Sequence, residues 1–206
     1  MSRPALSTAR ILLEPMTTQQ LPLLVELDAD AEVLRYILGR ARSTREVHEY
    51  WGPICASTDA DVVGLGWWVG WRRSDGDFLG WWDLSPDRPA AKEPFKAEAG
   101  WRLARRHWRQ GYATEGAAEI LDHGFATVGL SVVWAETMAV NQSSRKVMEK
   151  LRMRHVRTDH LEWEDPLPGT EQGEVVYEIT REVWTRGRRV DHDRRSVDSR
   201  HVSQSK

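Results

Sequence analysis

Cysteine is almost missing from this chain: Cys55 is the only one in 206 residues. An intrachain disulfide is therefore impossible and a cysteine-rich zinc site is excluded, which suits a reducing compartment. Cys55 itself reads as a small helix residue, because no neighbouring pattern marks an activated thiol. An excess of charge of one sign is missing too. With 29 basic and 31 acidic residues the formal net charge is -2; there is no global cationic field, and no nucleic-acid partner is expected. No apolar run reaches the roughly 18 residues that cross a bilayer, and the start lacks an apolar leader with a cleavage pattern, so a soluble, cytoplasmic protein without a membrane partner is expected. Nucleotide motifs are absent as well. Gly64-Leu65-Gly66 lacks a third glycine and precedes a strand rather than a helix, and no Gly-Lys-Ser/Thr loop occurs. His48, His107, His123, His155 and His160 have no metal-ligand spacing, so no metal is expected.

What is there suits one domain: 40% of residues are hydrophobic, and tryptophan is abundant at eleven against three phenylalanines. Thr8 to Pro15 alternates as a strand, and Thr17 or Thr18 can cap a helix through Leu21, Leu24, Val25 and Leu27. A second helix is predicted from Ser43 to Ser57. Gly66–Arg72 and Phe78–Leu84 read as strands around Ser74-Asp75-Gly76-Asp77, where Asp-Gly signals a hairpin. Trp67, Trp68, Trp71, Trp81 and Trp82 lie on these strands as an acceptor platform or as packing; neighbours in sequence must face opposite sides, so at least half are packing. After a Pro-rich connection, Pro86 to Pro94, come a strand Glu98–Leu103, a helix to Val128, a strand Val132–Thr137, a helix Ser143–Leu151 and a strand Met153–His160. An acidic loop, Asp159 to Gly173, leads to a last strand, Glu174–Thr180. Residues 1–185 form the expected domain, and 186–206 are too polar to fold alone and read as a disordered tail.

One segment carries most of the functional signal. Trp108-Arg109-Gln110-Gly111-Tyr112-Ala113-Thr114-Glu115 reads as a tight turn running into a helix whose Ala113, Ala117, Ile120, Leu121, Gly124 and Val128 share one face. The first N–H groups of such a helix have no internal acceptor and sit at the positive end of its dipole, so the turn is a ready site for a phosphate. Arg105, Arg106 and Arg109 stand beside it as phosphate screens or as an ordinary surface cluster, and Arg145 and Lys146 allow the same two readings.

Together with Glu98-Ala99-Gly100-Trp101-Arg102-Leu103 before it and Asn141-Gln142-Ser143-Ser144-Arg145-Lys146-Val147-Met148-Glu149-Lys150-Leu151 after it, this segment resembles the GNAT superfamily of N-acetyltransferases. Trp108, three residues before the glycine, is similar to the branch of ribosomal-protein alanine N-acetyltransferases of the RimJ/RimL type. The resemblance covers about residues 8 to 184. It implies an α/β (α+β) fold with a mixed sheet of about seven strands flanked by helices, and acetyl-CoA as co-substrate between splayed fourth and fifth strands. It further implies that the pantetheine arm pairs with backbone from Trp101 to Leu103, that Arg109, Gln110, Gly111, Tyr112, Ala113 and Thr114 cradle the pyrophosphate, and that Asn141 and Ser144 meet the thiol end. A homodimer is implied by resemblance alone. Two positions depart from the common pattern: Met148 stands where many members carry a tyrosine acid, and Arg152 replaces a glycine after Lys150-Leu151.

The chemistry is acetyl transfer to a neutral amine. At pH 7 an N-terminal amine is roughly 10 to 20% neutral and a lysine amine about 0.04%, so a base is needed most for a lysine-like acceptor. Glu98, beside the splay, is the candidate base, directly or through water, against its reading as an ordinary strand carboxylate. Ser144 is the nearest candidate acid in place of the tyrosine, and a backbone N–H near Leu103 can polarise the thioester carbonyl. Asn141 reads equally as the cap of its helix. The expected function is acetyl transfer to a primary amine, a protein N-terminus or a small molecule such as a polyamine, amino sugar or amino acid; the alternative is a catalytically silent acyl-CoA sensor.

Overall fold

The computed structural model describes residues 3–59, 61–87 and 95–187. The expected tail from 188 onward and most of the Pro-rich connection lie outside the described residues. Among the described residues eight strands form one sheet in the order β1-β2-β3-β4-β5-β6-β8-β7: β1 (Leu6–Ser7), β2 (Ile11–Pro15), β3 (Gly66–Arg72), β4 (Phe78–Pro86), β5 (Lys96–Leu103), β6 (Val132–Met138), β7 (Arg154–Asp159) and β8 (Glu174–Thr180). Only the β5–β6 pair is parallel; all other neighbours are antiparallel. The expected Thr8–Pro15 strand is realised as β2 from Ile11 onward, and the eighth strand is the two-residue β1 ahead of it, which folds back on β2 through a turn where the Thr8 hydroxyl accepts from the N–H groups of Arg10 and Ile11 at 3.2 and 2.9 Å.

The strand alternation sends its two faces into two separate cores. On one face Ile11, Leu13, Trp68, Leu79, Trp82, Leu84, Ala97 and Ala99 pack under α3 (Tyr112–Asp122) and α4 (Gln142–Lys150). On the other, Val69, Phe78 and Trp81 pack with Leu24, Leu27, Val47 and Trp51 of α1 (Leu21–Asp28) and α2 (Thr44–Ala56). Phe78 and Trp81 reach one face despite their odd spacing because the β3–β4 register slips between Gly70 and Trp71. Gly80, at φ +142°, serves this bend: a Cβ there would run into the Arg102 carbonyl.

Helix ends follow the sequence signals. Ser43 and Glu46 form a capping box on α2. Thr17 and Gln20 form another, but on a 3₁₀ turn (Thr18–Gln20) that runs into α1. The helix expected to reach Val128 is α-helical only to Asp122; His123–Val128 widens into a π-helical turn that Gly129 ends in the left-handed conformation. The expected face holds, with Ala117, Ile120, Leu121 and Gly124 buried and Ala113 and Val128 half-buried.

The tryptophans serve packing instead of an open platform. Trp68 and Trp82 are fully buried, and Trp82 donates to the Ala113 carbonyl at 3.1 Å. Trp67 and Trp81 stack edge-on with Trp51, and the Trp71 indole is held by Glu14 at 2.7 Å. Adjacent to this cluster, fully buried Asp28 accepts from Arg42 and Arg102 at 2.8 Å each and from the Trp51 indole at 3.0 Å. This tie joins α1, the segment before α2, α2 itself and β5. Asp28→Ala leaves two buried guanidiniums without their anion and is expected to cost about 3–5 kcal/mol, read as a lowered urea midpoint.

Candidate functional site

β5 and β6 share only three rungs, Lys96↔Val132, Ala97↔Val133 and Glu98↔Trp134, and then part. Beyond Glu98, β5 pairs only with β4, while Ala135–Met138 of β6 pair only with β8. The direction of the freed backbone follows from three bonds: Ala104 N–H to the Leu79 carbonyl at 2.9 Å, Asp87 N–H to Lys96 at 3.0 Å and Ser131 N–H to Phe95 at 2.9 Å. Even-numbered residues of β5 therefore point their backbone groups at β4, and odd-numbered ones, Ala99, Trp101 and Leu103, point theirs into the gap. The Leu103 carbonyl is taken by the Trp108 indole at 2.8 Å. This pins the following turn to the strand end.

In that turn Arg109 (φ +60°) and Gly111 (φ +85°) are both left-handed, and α3 starts at Tyr112 with Gly111 as N-cap and no side-chain cap. The N–H groups of Tyr112, Ala113 and Thr114 thus lack both helical acceptors and a capping side chain, the arrangement that takes an anion. Arg109, Gln110 and Gly111 are exposed around it. Arg105 and Arg106 are not held out as phosphate screens, since Arg105 pairs with Asp30 at 3.0 Å and Arg106 with Asp77 at 3.0 Å.

Glu98 stands on the last shared rung, half-buried on the α1–α2 face. Burial, with Glu136 and Asp87 nearby, pushes its carboxyl up to about 7, the poise a base needs near neutral pH. The same face holds a second acid that the sequence reading did not single out. Asp83, buried on β4, sits opposite Gly100 and accepts from the Ser85 hydroxyl at 2.7 Å, while Ser85 sits opposite Glu98. A Cβ at Gly100 would strike Asp83 Oδ1, so the glycine makes the room. Burial carries Asp83 to about 7 as well, against the Ser85 hydrogen bond and with help from Glu98. Only the period-2 alternation Trp81-Asp83-Ser85 could have pointed to it, and an aspartate in a strand so rich in tryptophan was the available signal.

Asn141 closes the far side of the gap at the end of β6. Its Oδ1 caps α4 through Ser144 N–H at 3.2 Å and its Nδ2 donates to Thr137 at 2.9 Å, so the capping reading is realised. Ser144 is half-buried, and its hydroxyl has no hydrogen-bond partner among the described residues. Met148, where a tyrosine was the common expectation, is buried in the core. Arg145 is not free for a ligand: it bonds the Ala139 carbonyl at 2.9 Å and the Tyr177 hydroxyl at 3.2 Å. Arg152 keeps the left-handed turn of the glycine it replaces, at φ +63°. Cys55 is buried in α2, which pushes its thiol up to about 11 and keeps it inert. Among the described residues no cluster of three or more His, Cys, Asp or Glu side chains is arranged to hold a metal ion, and no helix is long and apolar enough to cross a membrane.

The two raised acids make a signed prediction. Asp83 and Glu98 bind protons in the folded state up to about pH 7 but in the unfolded chain only to about 4, so their contribution to stability falls as pH rises through that window. Asp83→Asn is expected to flatten the drop in urea midpoint between about pH 4 and 7, and to lower the Glu98 titration followed by carboxyl NMR, by removing a neighbouring negative charge.

Comparison with known proteins agrees with this geometry. Residues 10–154 match the acetyltransferase (GNAT) domain family. The chain is 39% identical over 193 residues to the FsC-acetyl coenzyme A-N(2)-transacetylase of Aspergillus fumigatus, covering 90% of this chain and 80% of the relative. Solved structures share the fold: spermidine N-acetyltransferase from Vibrio cholerae in complex with CoA and spermine (TM-score 0.68, 16% identity, 86% of this chain and 99% of that one), and the RimL ribosomal L7/L12 alpha-N-protein acetyltransferase in complex with coenzyme A (TM-score 0.71, 13% identity, 87% and 99%). The open gap, the uncapped helix and these matches identify the chain as a member of the GNAT family of N-acetyltransferases.

Proposed function

We propose that this enzyme transfers acetyl from acetyl-CoA to the primary amine of a small molecule, with Glu98 as the base. The observation that carries the reading is Glu98 on the last β5–β6 rung, where the inter-strand gap begins and on the strand that runs into the uncapped helix turn. The family uses acetyl-CoA, and the backbone of Trp101 and Leu103 offers ladder partners to a pantetheine arm entering the gap. The N–H groups from Arg109 to Thr114 suit its pyrophosphate. Asn141, through its cap on Ser144, aligns that hydroxyl with the thiol end.

In this scheme the acceptor ammonium first gives a proton to the Glu98 carboxylate, directly or through water. The neutral nitrogen then attacks the thioester carbonyl, its C–N bond forms, the C–S bond breaks, and the proton that the nitrogen sheds in becoming the amide passes through the Ser144 hydroxyl to the thiolate. The Leu103 N–H polarises the carbonyl oxygen during the attack.

For the acceptor, the relative at 39% identity is named for transfer to an N(2) nitrogen, which favours the α-amine of an amino-acid-derived small molecule over a protein N-terminus. The RimJ/RimL-type placement rests on Trp108, whose bond to the Leu103 carbonyl gives that tryptophan a physical task. A cytoplasmic homodimer belongs to the same reading and enters no step of it.

Release of free thiol from acetyl-CoA, measured across amino-acid α-amines, polyamines and N-terminal peptides, tests the proposal. Turnover is expected with the first class, with kcat/KM rising as pH increases through about 7, where Glu98 ionises. Glu98→Gln is expected to lose roughly 100- to 10,000-fold in kcat and the pH limb with it, without weakening CoA binding. Gly111→Trp, which forces a bulky side chain into a left-handed position, is expected to abolish CoA binding. Peptide turnover without small-amine turnover would reverse the acceptor assignment, and CoA binding without turnover on any amine would make the protein a sensor.

A further inference from the structure

The turn at Trp108 to Glu115 is not self-supporting. Glu115 lies in the first turn of α3, where an anion is stabilised by the helix but would repel a second anion bound at the same N-terminus. The hairpin turn between β1 and β2 answers this charge. Arg10 donates from Nε to Glu115 Oε2 at 2.7 Å and from its backbone N–H to Oε1 at 3.1 Å, and the Thr8 hydroxyl adds a bond to Oε1 at 2.5 Å. Burial alone would raise the Glu115 carboxyl, but the bonds from Thr8 and Arg10 outweigh it and hold the carboxyl below its ordinary range.

Arg10 also reaches the turn itself. Its Nη1 donates to the Gln110 carbonyl at 3.1 Å, and its guanidinium lies 4.5 Å over the Tyr112 ring. In a trans peptide the C=O and the following N–H point in opposite directions, so holding the Gln110 oxygen on the Arg10 side turns the Gly111 N–H to the other side. The space is shared closely: a Cβ at Gly111 would come within 3.3 Å of Arg10 Nη2. With its side chain 47% exposed, Arg10 keeps part of its donor fork open to solvent beside the turn.

We infer that Arg10 is a positioning residue for the pyrophosphate of acetyl-CoA: it neutralises Glu115 at the mouth of α3 and fixes the Gln110–Gly111 peptide so that the turn presents N–H groups to the phosphates. This rests on the acetyl-CoA reading above. It assigns to the N-terminal hairpin a part in donor binding, although the hairpin contributes nothing to the inter-strand gap.

The test compares acetyl-CoA with acetyl-pantetheine, which carries the same thioester without the pyrophosphate. Arg10→Ala is expected to lower kcat/KM for acetyl-CoA by about 10- to 100-fold, through KM and not kcat, and to leave acetyl-pantetheine within about twofold. Arg10→Lys keeps the charge but loses the fork and is expected to fall between. Adding Glu115→Gln to Arg10→Ala is expected to restore part of the loss, because the uncompensated carboxylate is gone. Equal losses with both donors, or no loss with either, would overturn the assignment and leave Arg10 a fold residue. CoA affinity by calorimetry is the readout that stands apart from catalysis: wild type that binds CoA more tightly than Arg10→Ala but acetylates no amine sinks the enzyme's acceptor reading and leaves this one standing, whereas wild type that binds no CoA sinks both.

Discussion

Asp28 is the anchor on which the α1–α2 side of the molecule depends. A fully buried carboxylate is tolerated because Arg42, Arg102 and the Trp51 indole converge on it, and each comes from a different part of the chain. Arg102 belongs to β5, the strand that also carries Glu98 and ends at the anion-binding turn. The position of α1 and α2 over the sheet is thereby tied to the same strand that places Glu98, the proposed base. Arg102 further lies over the Trp51 and Trp81 rings, at 5.8 and 4.9 Å, so the charge network and the aromatic core are one unit.

The β5–β6 gap and the turn that follows it are built by subtraction. A parallel pair that stops after three rungs leaves odd-numbered backbone groups of β5 without a strand partner, and a helix without a side-chain cap leaves its first N–H groups unmet. Each omission would be costly in a buried setting. In the proposed site they are the groups that meet an extended, polar donor, and the bonds of Trp108 to the Leu103 carbonyl and of Arg10 to the Gln110 carbonyl hold the turn beside them. Glu98 and Asp83 add a similar tension on the α1–α2 face, where two carboxyls on neighbouring strands are held near neutral pH, Glu98 by burial with Glu136 and Asp87 nearby and Asp83 by burial with help from Glu98.

Much of this was legible in the sequence where local rules govern. The helix starting at Ser43, the Asp-Gly hairpin, the tight turn at Gly111 and the final strand Glu174–Thr180 follow from residue types at fixed spacing. The tryptophans were half-legible: alternation required that adjacent rings face opposite ways, and they do, but the second face proved to be another core. Arg145 and Arg105 were read for their charge alone. Their partners, Tyr177 and Asp30, are distant in sequence, and no local pattern signals such a pair.

The sequence by itself determined the segments proposed to hold the donor, because a glycine turn, a helix start and a capping asparagine are contiguous motifs whose backbone geometry is set within a few residues. It also determined that Glu98 lies in the strand before them. Only the tertiary structure decided what surrounds that glutamate: Asp83 and Ser85 from β4, Glu136 from β6 and Asp87 from the connection reach it by sheet pairing. It likewise brought Arg10 to Gln110 and Glu115, about a hundred residues away in sequence. The physical reason is that strand order and register, set by which apolar faces can be buried together, are collective properties of the whole sheet; no stretch of residues encodes them alone.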